Sequence, residues 1–244
     1  MFHTGRSGST VVARMLNQHS EICWPGELFE NVPERYGDAP RANLVERVLG
    51  EWSERCLERN KHVLGFETKY LPHQHLRKTF LDTTLEDYLS LLHGLRKWKF
   101  VVVQRENYLR RAISAQVGAR TKTWHAKEAG GGPVRIALDL HNFRTGEHRE
   151  PLLELFRTLD ENYEKLWQLL RHEKTLYLSY ERDILDDPTV AYGAVCDFLQ
   201  VNRESPSIDL VRTNPFPYEA MLTNFAEVTE LLKGTKYEWM LSSR

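Results

Sequence analysis

The chain has 244 residues, of which 41% are hydrophobic and 27% charged, and this content is that of a globular protein with enough sequence to bury a core. Lys plus Arg number 33 against 34 for Asp plus Glu, so no overall basic field attracts nucleic acid or anionic lipid, and any anion site must be local. The longest apolar run, around Phe100 to Val103, is too short to span a bilayer, and MFHTGRSGST lacks the apolar core of a secretory signal.

The start, Met1-Phe2, reads as a very short strand entering a Gly/Ser-rich loop, followed by a helix carrying the apolar pattern Val11 to Leu16. Residues 41 to 59 place Leu44, Val45, Val48, Leu49, Trp52 and Cys56 at helical spacing. Val63 to Phe66 reads as a strand and Thr84 to Leu92 as a helix with a Thr84/Asp87 start signal. Lys99 to Gln104 reads as a buried strand, and a helix opens near Asn107 with Leu109, Ile113 and Val117 on one face. The longest helical pattern, 151 to 171, turns Leu152, Leu155, Phe156, Leu159, Tyr163, Leu166, Trp167 and Leu170 inward. Thr175 to Leu178 is a strand, and Asp187-Pro188 opens a helix ending near Gln200, because proline suits the first helical position. Strands separated by long helices pair in parallel, so an α/β layered fold is expected, with one domain over residues 1–244 and Gly130-Gly131-Gly132-Pro133 as a loop. Cys23, Cys56 and Cys196 form neither a CxxC pair nor an even disulfide set, which suits a reducing, cytoplasmic setting.

Two segments carry chemistry. In HTGRSGST, Gly5 and Gly8 let the backbone turn between a strand and a helix, so that amide N–H groups and the helix N-terminus converge on one point where phosphate fits. Ser7, Ser9 and Thr10 add hydroxyls and Arg6 a forked cation. The Lys and spacing of a Walker A loop are absent, which argues against a kinase. The competing reading is a Gly/Ser turn that only starts a helix. In KFVVVQRENYLRRAISAQVGARTKTWH, Arg105 follows a buried strand, where open α/β sheets bind ligands, and Ser114 lies nine residues on. Together they suit a second phosphate. The alternative is a surface ion pair and a solvated serine. Trp124 is either core or a platform for a flat base.

These residues resemble the sulfotransferase superfamily that uses 3′-phosphoadenosine 5′-phosphosulfate (PAPS). Arg6, Ser7, Gly8, Ser9 and Thr10 match its RSGST-type loop for the 5′-phosphosulfate, and Arg105 and Ser114 match its Arg…Ser pair for the 3′-phosphate. Residues 178–201 and 223–235 add further similarity, while PGELFE and AISAQVGARTKTWH are most similar to bacterial carbohydrate sulfotransferases of the trehalose and nodulation-factor types. The resemblance implies a P-loop-like central parallel sheet flanked by helices. It also implies transfer of a sulfuryl group from PAPS, with PAP as product and no metal, to a hydroxyl of a carbohydrate or other small molecule.

Departures concern the start and the base. Only Met1 and Phe2 precede His3 where relatives carry a longer apolar strand, and Thr68-Lys69-Tyr70-Leu71-Pro72 puts Tyr70 where the small-molecule enzymes' K-T-H-L-P has its histidine base. A phenol with an ordinary pKa near 10 is a poor base at neutral pH. Glu27, in CWPGELFE, is the candidate base, since Trp24 and Pro25 beside it can desolvate the carboxyl, and the trehalose-type enzymes carry a Glu proposed as base there. The competing reading makes Glu27 a turn cap or the partner of an arginine. His73, His75, His125 and His141 are rivals by pKa. Acceptor recognition is expected from loops 28–40, 71–82 and 126–150. A non-catalytic nucleotide-binding module stays open as a different class.

Overall fold

The computed structural model describes residues 1–30, 41–76, 82–125 and 131–242. The chain falls into two compact units, Met1–Gln104 with Glu164–Ile208, and Arg105–Tyr163 with Asp209–Arg244.

The first unit is built on a parallel sheet. Its strands are β1 (Phe2–His3), β4 (Thr68–Lys69), β5 (Phe100–Gln104) and β8 (Thr175–Ser179), in the order β4-β1-β5-β8. The valine run of β5 suits a strand covered on both faces, and Val101, Val102 and Val103 are all buried. β1 is as short as its sequence implies, yet it lies inside the sheet, with Phe2 opposite Thr68 and Val102, and His3 opposite Lys69 and Val103. Strand alternation then divides the side chains between two faces.

One face packs Val101, Val103 and Leu178 with Val12, Met15 and Leu16 of α1 (Ser9–Gln18) and Ala191 and Val195 of α6 (Pro188–Leu199). On the other, Phe2 stacks on Phe100 at 6.0 Å and meets Tyr70 and Tyr88 edge-on at 6.3 and 6.4 Å. Tyr88 belongs to α3 (Leu85–Leu95), whose start follows the expected signal: the Thr84 hydroxyl accepts from the Asp87 amide at 3.1 Å. α6 begins as Asp187-Pro188 predicts, with the Asp187 carboxylate accepting from Thr189 N–H at 2.9 Å. A second parallel pair joins β2 (Ile22–Cys23) to β3 (Val63–Leu64) beside α2 (Arg41–Glu58), so the expected 63–66 strand is shorter and lies outside the main sheet. Lys61 donates to the carbonyls of Asn17, His19 and Ile22 and so closes the end of α1.

The second unit holds α4 (Tyr108–Thr121), a hairpin of β6 (Phe143–Thr145) and β7 (His148–Glu150), α7 (Tyr218–Met221) and α8 (Phe225–Leu232). The first part of α5 (Leu152–Leu170) also lies in this unit. The hairpin falls within the 126–150 stretch that the sequence reads as loop. On α5, Trp167 is 47% exposed, against the expectation that it turns inward. It follows Leu166 by one residue, a rotation of about 100° that takes it off the buried stripe of Leu155, Phe156, Leu159, Leu166 and Leu170. Among the described residues no helix is long and apolar enough to cross a membrane.

Candidate functional site

The loop after β1 is shaped by left-handed backbone at Gly5 (φ 75°), Arg6 (φ 58°) and Gly8 (φ 84°). Gly8 is required twice over: its φ disfavours a side chain, and a Cβ there would lie 2.7 Å from Tyr180 Cδ2 and 2.9 Å from Ile184 Cγ2. The loop is strapped by Gln74, whose side-chain amide donates to the Thr4 carbonyl at 2.9 Å. α1 starts at Ser9 with no side-chain cap from Gly8. Ser7 is fully buried, and its hydroxyl has no hydrogen-bond partner among the described residues. A turn of this kind at a helix N-terminus, with an uncapped first turn and an unused hydroxyl, has the make-up of an anion cradle. Arg6, Ser7 and Gly8 make this turn and Thr10 sits in the first turn of α1, whereas the Ser9 hydroxyl lies 3.2 Å from His3 Nδ1.

Glu27 is brought beside this loop. Gly26 turns the chain, its carbonyl accepting from Leu28 N–H at 2.9 Å and from Glu67 N–H at 2.8 Å. Trp24 is fixed by close approach to Gly65, where a Cβ would fall 2.0 Å from its ring. The Glu27 carboxylate, 21% exposed, accepts from Lys69 Nζ at 2.6 Å through Oε2 and lies 3.9 Å from His3 Nε2 through Oε1. Lys69 also passes over the loop, its Cε being 3.6 Å from the Cβ position of Gly5. Glu27 therefore does have a cationic partner, a lysine where the competing reading named an arginine, and the ion pair sits at the loop.

His3 and Glu67 complete the cluster. The backbone N–H of Gly5 donates to His3 Nδ1 at 3.1 Å, so Nδ1 is an acceptor and the neutral ring carries its proton on Nε2. That nitrogen is 3.3 Å from Glu67 Oε2. Glu67 is only 4% exposed, and its carboxyl is pushed up to about 7, first by burial and then by the negative charge of Glu27; the Ser9 hydroxyl and the Trp24 indole act in the opposite direction. One ligand-type atom from each of His3, Glu27 and Glu67 lies within 4.8 Å of the others. The Lys69 ammonium contacts this group through Glu27, and the Met1 amino group acts on Glu67 electrostatically.

Tyr70 is 2% exposed and packs on Phe2, so it belongs to the core and Lys69, its neighbour on the strand, faces the site. Neither Lys69, His3 nor Glu67 stood among the sequence candidates. Their signal was alternation: charged residues at 67 and 69 interleave with Thr68 and Tyr70. The side chains of His73 and His75 lie outside the described residues.

In the second unit, Arg105 directly follows β5 in the chain and Ser114 lies midway along α4, half-buried. The start of α4 is held by Asn107, which accepts from Arg110 N–H at 2.8 Å and donates to Tyr218 Oη at 3.0 Å and to the Met240 carbonyl at 3.1 Å. Trp124 is 45% exposed with one face against Gly118, where a Cβ would lie 2.6 Å from its ring, so it is not core. His125 and His141 are exposed.

No curated protein matches the chain. A family model does: the one described as the sulfotransferase family matches residues 4–205, from the first loop through β8 and α6, and the chain belongs to that family.

Proposed function

We propose that this sulfotransferase takes its sulfuryl group from PAPS and passes it to a hydroxyl of a carbohydrate or another small molecule, with Glu27 as the base. The observation that carries the reading is the Glu27 carboxylate held by Lys69 beside an anion-cradling loop. In the transfer the acceptor oxygen forms a bond to sulfur as the bond from sulfur to the 5′-phosphate oxygen breaks. Glu27 takes the hydroxyl proton and PAP leaves with the charge. Arg6, the loop amides, the Ser7 hydroxyl and the first turn of α1, with Ser9 and Thr10, offset that charge, and Lys69 keeps Glu27 ionised before the acceptor arrives. A sulfuryl group carries less charge than a terminal phosphoryl, so amides and two cations suffice without a metal.

The assignment of Arg105 and Ser114 to the 3′-phosphate and of Trp124 to the adenine rests on the resemblance, supported at Trp124 by the exposure of the side chain. The family match runs through parts of both units, which favours one functional domain over residues 1–244. Three free buried cysteines agree with a reducing, cytoplasmic setting.

The test is ligand-linked stability followed by turnover. PAP at about 100 times its Kd should stabilise the fold by roughly 2.7 kcal/mol, while AMP at the same concentration should do far less. Labelled PAPS should then mark a hydroxyl compound from a sugar-rich acceptor panel. Equal stabilisation by PAP and AMP would remove the 3′-phosphate assignment, and transfer of phosphate from ATP would overturn the donor.

A further inference from the structure

The mechanism above uses Glu27, Lys69 and the loop, and leaves unexplained a buried carboxyl and a buried imidazole directly behind them. Glu67 and His3 are 4% and 1% exposed, and neither has a packing reason to be polar in the interior of a sheet. The contacts are directional. The Gly5 amide fixes His3 Nδ1 as acceptor, which denies the ring a second proton and turns its Nε2–H toward the Glu67 and Glu27 carboxylates, 3.3 and 3.9 Å away. In this form His3 lies against both acids without supplying a full positive charge.

Two carboxylates around one neutral N–H cannot both be ionised without mutual cost. The cation is unevenly shared: Lys69 Nζ is bonded to Glu27 at 2.6 Å, and Glu27 is also the more exposed of the two. The first proton taken up by the pair thus belongs on Glu67, which leaves Glu27 ionised and free to accept. We propose that Glu67, clustered with Glu27 around the His3 imidazole, is a positioning residue whose charge sets the proton affinity of the base. With Glu67 protonated, Glu27 is ionised but weakly basic; with Glu67 ionised, its negative charge makes Glu27 hold a transferred proton more strongly.

The groups facing Glu67 among the described residues are few. They are His3 from β1 and the Met1 amino group ahead of it, Ser9 from α1, and Trp24 and Glu27 from the segment after β2. Lys69, one residue beyond Thr68, reaches the cluster through Glu27. The rise of the Glu67 carboxyl to about 7 agrees with this geometry and puts the change of charge in the neutral range.

This inference rests on the reading of Glu27 as base, and its test is independent of turnover. In the full chain labelled with ¹³C at the glutamate carboxyls, each resonance is assigned by its loss in Glu27→Gln or Glu67→Gln and followed with pH. In Glu27→Gln the Glu67 midpoint should fall by about half a pH unit or more, because the neighbouring negative charge is gone. In the wild type the Glu27 resonance should show an inflection where Glu67 titrates, and Glu67→Gln should remove it while leaving the lower Glu27 midpoint in place, since Glu67 is already protonated there. The loss of that inflection suffices if Glu27→Gln does not fold, and ¹⁵N shifts of His3 should report the Nε2–H form throughout. A Glu67 midpoint unchanged within about 0.2 unit in Glu27→Gln, a Glu27 resonance without the inflection, or a doubly protonated His3 at neutral pH would overturn the proposal. Should Glu27→Gln instead retain its turnover while the coupling is present, the base reading fails and the electrostatic pairing stands.

Discussion

Two polar clusters, one in each unit, are built on opposite plans. Around Asp160 in the second unit, donors and acceptors match: Tyr108 Oη donates to Oδ1 at 2.8 Å, Tyr237 Oη to Oδ2 at 2.8 Å, and Lys236 Nζ lies 2.5 Å from Oδ2. The rings carrying these hydroxyls pack with Phe156, Tyr237 edge-on at 5.3 Å and Tyr108 tilted at 5.8 Å. Around His3 in the first unit, two carboxylates share one neutral imidazole, Ser7 keeps an unused buried hydroxyl, and the adjoining loop runs through left-handed backbone. The first cluster holds a structure together. The second crowds charges and leaves the Ser7 hydroxyl unbonded among the described residues, an arrangement that is costly to fold and that fits the proposed transfer site.

That contrast predicts how each cluster fails. The largest effect is expected at Glu27: Glu27→Gln keeps shape but removes basicity, and kcat should drop about 100-fold or more with PAP affinity little changed, measured by transfer from labelled PAPS and by titration calorimetry. Next comes the pH dependence of stability. Because the Glu67 carboxyl is raised from 4.5 to about 7 on folding, the folded state binds more protons between those values. The resulting stability is fully present below about pH 4.5 and is lost as pH rises through 7, amounting to about 3 kcal/mol. The buried Met1 amino group, lowered to about 5, gives a slope of opposite sign, so the Glu67 contribution should appear as the difference between wild type and Glu67→Gln in denaturant unfolding at a series of pH values.

Asp160→Ala should act the other way round. It strands two phenols and an ammonium, so thermal unfolding should report a loss of about 2 kcal/mol at every pH between 5 and 8, while PAP affinity is retained. A collapse of PAP binding in this variant would erase the distinction between the clusters. The smallest effect is that of chelation. With Lys69 as the cation in contact with Glu27, EDTA should change turnover by less than about twofold, and a larger loss would place a metal in the mechanism.

Much of the first unit could be read from sequence because its signals are local. The valine run of β5, the Thr84 and Asp187 caps, and Gly5 and Gly8 ahead of α1 each act through residues a few positions apart. Glu27 was legible from its apolar neighbours and from resemblance. Its partners were not, because His3, Glu67 and Lys69 meet it only after β1 and β4 pair, and no local pattern encodes that register. Trp167 was misread for a simpler reason: hydrophobicity marks a helix face only on average, and one residue past Leu166 is already off it.

The position of β1 in the sheet has a kinetic consequence. As a strand, Phe2 and His3 pair with segments made from distant sequence, Thr68–Lys69 on one side and Phe100–Gln104 on the other. Closing such long loops is slow, and a nascent chain cannot seat these residues until β5 has left the ribosome. The loop that follows them also packs at Gly8 on Tyr180 and Ile184, which are made later still. Assembly of the anion cradle is therefore a late event in this chain, and a truncated translation product ending before Phe100 should contain helices but no site.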